Sequence, residues 1–169
     1  MNSSISLMSI FYGLLDNEVL TWGLIACGSA QVSKLVFELI QHRKWRPSVL
    51  FETGGMPSSH SALVSGTASG LGLELGFDDP IFALAAIIAF VVMYDASGIR
   101  RAAGLTASKV NKMTENIDSL SDTLLKENLG HTRTEVIVGS LLGPIIAMPG
   151  IVFIGSPTHI IHIIKLGLG

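Results

Sequence analysis

Four apolar stretches dominate this chain, and they restrict what it can fold into more than any other feature. Residues 19–40, 57–77, 80–96 and 135–154 are apolar enough to enter a bilayer, and at 1.5 Å of rise per residue about twenty helical residues cross a hydrocarbon core of roughly 30 Å. Inside lipid every backbone N–H and C=O must find a partner within the protein, which leaves helices as the economical solution for such segments. The expectation is an all-α fold: a small polytopic bundle of about four transmembrane helices plus an amphipathic cytoplasmic segment, in one membrane domain over residues 1–169. Composition agrees, with 49% hydrophobic and only 14% charged residues and a mean hydropathy of +0.56. Pro/Gly/Ser linkers, repeats and low-complexity blocks that would divide the chain are absent from the sequence.

The four stretches differ in character. The first ends in a basic turn, QHRKWRP at residues 41–47, where Pro47 discourages further helix and Trp45 suits a membrane interface. The second is rich in Gly, Ala and Ser, small residues that let helices approach closely in a bilayer. The third, through AAIIAFVVM at residues 85–93, is the strongest spanning signal, and the fourth contains Pro144 and Pro149, which neighbouring helices can accommodate. Residues 97–132 carry mixed charge and read as a solvated loop containing an amphipathic helix. The apolar tail at residues 158–169 is too short to cross and reads as interfacial. Residues 1–18 lack Lys and Arg, so no basic leader precedes the first stretch, which is read as retained.

Lys and Arg gather after the first stretch and between the third and fourth, whereas the turn at residues 76–80 and the N-terminus have none. The positive-inside bias therefore puts both basic loops in the cytoplasm. Basic residues collected to bind a ligand would produce the same bias. The net charge of −2 supplies no global field for nucleic acid, which is excluded as a partner. Cys27 is the single cysteine and cannot form an intrachain disulfide, so it leaves the redox compartment open.

Four polar features fall on these elements. Residues 54–62, GGMPSSHSA, make a helix N-terminus whose free N–H groups, with Ser58 and Ser59 hydroxyls beside them, suit an anion such as phosphate. His60 adds a titratable ring, and the same sequence also serves as a plain serine cap. His131 and Glu135 are four apart and share a helix face, so the carboxylate can orient the imidazole and leave its other nitrogen as base or nucleophile. A satisfied polar pair at a helix start has the same spacing. Asp95 closes an apolar stretch and is followed by Arg100 and Arg101, suited to phosphate or to anchoring at the membrane surface. Lys34 lies inside the first span, where a cation is costly unless it snorkels or serves a polar cavity, with Glu38 four residues on. In this topology Lys34, His60, Arg100 and His131 reach the same side of the membrane from four separate segments.

Taken in order, GGMPSSHSA, MYDASGIRRAAG and LKENLGHTRTEV resemble the divergent branch of the type 2 phosphatidic acid phosphatases, also labelled acid phosphatase or vanadium-dependent haloperoxidase-related proteins, over about residues 15–150. The resemblance implies a metal-independent phosphatase with no cofactor. Residues 57–60 look like the family's Pro-Ser-Gly-His motif with Ser59 in place of Gly, which makes His60 the acid that protonates the leaving oxygen. His131 looks like the nucleophilic histidine that forms a phosphohistidine, with Glu135 standing where the family has Asp. Lys34, Ser58, Ser59, Arg100 and Arg101 would bind the phosphate. Two departures stand out. Leu125 occupies the position, six before His131, of the family's arginine, so Arg100, Arg101 or Lys126 must supply that charge. Lys34 and the Arg46-Pro47 pair are further apart than the family's spacing.

The substrate class implied is a lipid or isoprenoid phosphate monoester, and the expected partners are membrane lipids and a phosphate-bearing lipid substrate, with a homo-oligomer left open. The competing expectation is a non-catalytic membrane protein that uses the same cluster to bind an anionic lipid headgroup or a partner. A transporter fits less well, because the polar residues gather at helix ends and not at the midplane.

Overall fold

The structure, a computed structural model, describes residues 7–43, 45–51, 54–114 and 124–159. The described residues form six α-helices in order: α1 (Leu7–Asp16), α2 (Glu18–His42), α3 (Ser59–Leu75), α4 (Pro80–Ser97), α5 (Ile99–Thr114) and α6 (Arg133–Phe153). A 3-10 turn covers Pro47–Phe51, and the described residues form no strand. Side-chain caps set the starts. Asn17 Oδ1 accepts from the Leu20 amide at 2.8 Å, Asp79 Oδ1 accepts from the Ile81 amide at 2.7 Å, and Pro80 takes the first position of α4, where its missing N–H is no loss. Thr132 and Glu135 form a reciprocal capping box at the start of α6. Arg43 ends α2 in the left-handed conformation with φ of 52°.

The chain is an integral membrane protein, a helical bundle in which α2, α4 and α6 are long and apolar enough to cross a bilayer. The second expected span, residues 57–77, becomes the 17-residue α3, which falls outside that group. Its composition explains the difference: the buried positions are Ser59, Ser61, Ala62, Gly66, Ala68, Gly70 and Gly72, so α3 gives up apolarity for close approach to protein. Helices α2, α4 and α6 pack around it. The tightest seam is with α6, where a Cβ on Gly143 would stand 2.4 Å from the Ala62 carbonyl oxygen and 2.6 Å from the Gly66 nitrogen. Pro144 and Pro149 lie inside α6, which runs through them.

Three further differences concern the flanks. Helix α1 precedes the first expected span, and its large apolar side chains are exposed. The segment expected outside the membrane contains the amphipathic α5, separated from α4 by Gly98, and an extended strap at residues 124–131. The intervening charges Glu115, Asp118 and Asp122 and the tail beyond His159 lie outside the described residues.

Candidate functional site

The strap is held where the site forms. Buried Asn111 on α5 donates from Nδ2 to the Leu125 carbonyl at 2.8 Å and accepts the Leu125 amide at 2.9 Å. It also donates to the Glu127 carboxylate at 2.7 Å, and Glu127 is held below the usual carboxylate range mainly by this bond and by a second from Ser108. Two turns nearer the bundle the strap presses on Gly104, where a Cβ would stand 2.5 Å from the Glu127 carbonyl oxygen. Gly130 then turns the chain with φ of +77°, and a Cβ there would stand 2.3 Å from the Arg101 nitrogen, so two separate constraints require glycine. The next amide, of His131, donates to the Ala96 carbonyl at 2.9 Å, joining the strap to the end of α4.

His131 is thereby buried, with 3% of its surface exposed. Its Nδ1 is 2.8 Å from Glu135 Oε2. An ionised carboxylate only accepts, so with a neutral ring this contact selects the tautomer that carries its proton on Nδ1 and leaves the Nε2 lone pair free. The same Glu135 Oε2 accepts the Thr132 amide at 3.3 Å, which fixes the carboxylate from a second direction. His131 Nε2 is buried without a hydrogen-bond partner. A buried polar atom left this way is accounted for by a water, an ion, a ligand or a chemical role.

A pocket of about 60 Å³ lies against this ring, lined by His60, Val92, Ala96, Arg100, Leu129, Gly130 and His131. His60 is within electrostatic reach of Arg100, His131 and Lys34. Arg100 is held by Asp95, with Nε 2.5 Å from Oδ2, and remains half exposed. Lys34 is 2% exposed and lines an adjoining cleft with Gly55, Thr132 and Glu135. Arg101 lies on a further cleft shared with His131 and Glu135.

Ser58 and Ser59 are placed differently from the ligand-facing role expected of them. Both are buried, and Ser58 Oγ accepts from the Ser61 amide at 3.3 Å and hydroxyl at 2.9 Å, as the α3 cap. The Ser58 amide donates to the Glu135 carbonyl at 3.0 Å, which ties the α3 start to the first turn of α6. Gly139 makes this approach possible, since a Cβ there would stand 2.3 Å from the Ser58 carbonyl oxygen. The larger clefts, of about 580 and 600 Å³, lie at the other end of the bundle among Asp16, Glu18 and Glu74, whose charges would repel a phosphate.

Residues 15–146 match the family described as the Divergent PAP2 family. This chain belongs to it. A relative, the uncharacterized membrane protein YuiD of Bacillus subtilis (strain 168), is 38% identical over 149 residues, covering 80% of this chain and 94% of the relative. No solved structure matches. Against the divergent PAP2 resemblance, the fold brings His60, Arg100, His131 and Glu135 to one end of the bundle, with Lys34 beside them. Asn111, Gly130 and Ala96 hold that arrangement, and sequence reasoning missed all three. Gly130 alone carried a readable signal, as a glycine immediately before the histidine.

Proposed function

We propose that this protein is a metal-independent membrane phosphatase that hydrolyses a lipid or isoprenoid phosphate monoester. The observation that carries the reading is the oriented and otherwise unpartnered His131, with Nδ1 bound to Glu135 and Nε2 left without a partner, beside His60 and Arg100. In this reading the Nε2 lone pair attacks phosphorus and the bond to the leaving oxygen breaks. His60 in its protonated form donates its proton to that oxygen. Arg100, with Lys34 and Arg101 behind it, offsets the charge on the phosphoryl oxygens. Water, deprotonated by the now neutral His60, then attacks phosphorus, releases inorganic phosphate and returns His131 to its starting state. Ser58 and Ser59 contribute through the α3 N-terminus that they cap and bury. The site loops face the cytoplasm, as the Lys and Arg distribution indicates.

Protein purified in detergent or lipid is expected to release phosphate from lipid phosphate esters, to be inhibited by vanadate and to lose turnover in His131→Ala. Full activity in that variant would eliminate the phosphohistidine route. The ion pair between Arg100 and Asp95 favours a second reading, a non-catalytic site for an anionic headgroup or partner, because an arginine already engaged is a weaker phosphate clamp. Binding of a lipid phosphate without turnover would support it.

A further inference from the structure

Helix α5 has two opposed faces. The inner one, Gly104, Ala107 and Asn111, is buried, and Gly104 and Asn111 hold the strap. The far side, a sector about 140° wide at 100° per residue, displays Ile99, Leu105, Val110 and Met113, which are 68, 58, 38 and 79% exposed, with Met113 opposite Gly104. Lys109 stands among them and Arg101 and Lys112 follow one edge, while α5 itself contains no acidic residue. Across the helix, the carboxylate that faces this set is Glu127, on the strap beside Lys112.

The position of α5 in the chain says what covers that face. It begins two residues after α4 ends at Ser97, and the 18 residues of α4 rise about 27 Å, close to a full hydrocarbon thickness. The first turn of α5 is therefore at the boundary between lipid and water. Four large apolar side chains in water there would be costly, and lysine stems suit that depth because the ammonium reaches up to the headgroups. Cations of one sign beside an apolar stripe, on a helix continuous with a membrane span, fit the surface of an anionic leaflet.

We propose that α5 docks on the anionic leaflet of its own membrane, with Ile99, Leu105, Val110 and Met113 at the acyl boundary and Arg101, Lys109 and Lys112 on lipid phosphates. The strap lies on the far side of α5, so the helix that presents Arg100 and clamps the His131 segment is seated on the bilayer. The inference is independent of whether the site turns over a substrate.

The test uses the full chain with Cys27→Ser and Met113→Cys, carrying an environment-sensitive fluorophore at residue 113. It is reconstituted in bilayers of phosphatidylcholine alone or mixed with phosphatidylglycerol. In the mixed bilayer a lipid-borne spin-label quencher should dim the probe and aqueous iodide should lose access to it. Adding Lys109→Gln and Lys112→Gln should return iodide access, whereas Lys109→Arg and Lys112→Arg should not, which separates charge from misfolding. Equal iodide quenching in both bilayers would overturn the proposal. So would lipid quenching that ignores both composition and the glutamine pair. Protection from both quenchers, with crosslinking between copies, would overturn it in favour of a protein-covered face.

Discussion

Replacing Asn111 with Ala removes the pin between α5 and the strap. Two of its bonds join it to the backbone of one residue, at 2.8 Å to the Leu125 carbonyl and 2.9 Å from the Leu125 amide. At about 1 kcal/mol net for each bond the local cost is about 2 kcal/mol, and since 1.4 kcal/mol is a factor of ten, the strap should open roughly 30-fold more often. The exposed Glu127 contact is left out of this sum, because solvent screens it. Native-state hydrogen exchange in detergent reads the effect at the Leu125 amide, which should exchange faster by that factor while the α3 and α6 core amides keep their rates. The strap ends in His131, so carbethoxylation of that buried ring should accelerate in the same variant. A Leu125 amide that exchanges at the parent rate in Asn111→Ala would refute the clamp and with it the account of how His131 is positioned.

Three other outcomes follow from the same geometry. Gly139→Val should lower the thermal midpoint in detergent by the equivalent of about 1–3 kcal/mol or more, since even its Cβ meets the Ser58 carbonyl at 2.3 Å, whereas Gly28→Ala, with nothing within 4 Å, should not lower it. Glu135→Ala should cost about 1 kcal/mol of stability through the lost capping box, and nitrogen chemical shifts should show His131 losing its preference for the Nδ1–H tautomer; a retained preference would mean that Glu135 does not set it. Glu127 has its carboxyl held below its ordinary 4.5 by Asn111 and then Ser108. Its stabilisation is therefore fully present above 4.5 and lost as pH falls through the lowered folded value, so strap protection should fade only in that acid range and Glu127→Gln should flatten the profile.

The apolar stretches were legible because a bilayer demands them: the expected segments 19–40, 80–96 and 135–154 differ from α2, α4 and α6 by at most two residues at either end. Helix α3 was harder to classify, because Gly, Ala and Ser lower hydropathy for the same reason that they permit burial against α6. Within the site, the spacing of His131 and Glu135 foretold their contact, since i and i+4 side chains meet on any helix. The sequence left the serine pair open between a ligand site and a plain cap, because a cap sequence looks alike in both, and the structure shows Ser58 as the cap. Asn111 was invisible in sequence: its partners are fourteen and sixteen residues away on an irregular strap, and no periodicity marks such a contact.

Orientation can be separated from the site now that the cations have positions. A ligand-binding cluster would mimic the positive-inside bias, so the cations that serve the site or are paired should be discounted first. Lys34, Arg100 and Arg101 line its clefts, and Arg46 reaches Glu38 at 3.1 Å. Among the described residues Arg43, Lys109, Lys112, Lys126 and Arg133 remain, all exposed and all at that end of the bundle. At the other end, the described residues of α1, the turn at residues 76–79 and residues 151–159 contain no Lys or Arg. Among the described residues the bias survives the subtraction, and it does not rest on the chemistry proposed for the pocket. In a Cys27→Ser background, cysteine at Ser108 should resist a membrane-impermeant maleimide in intact cells and cysteine at Asp78 should react. The reverse pattern would put the His131 pocket outside, restrict its substrates to the outer leaflet and show that the exposed cations are there for a ligand after all.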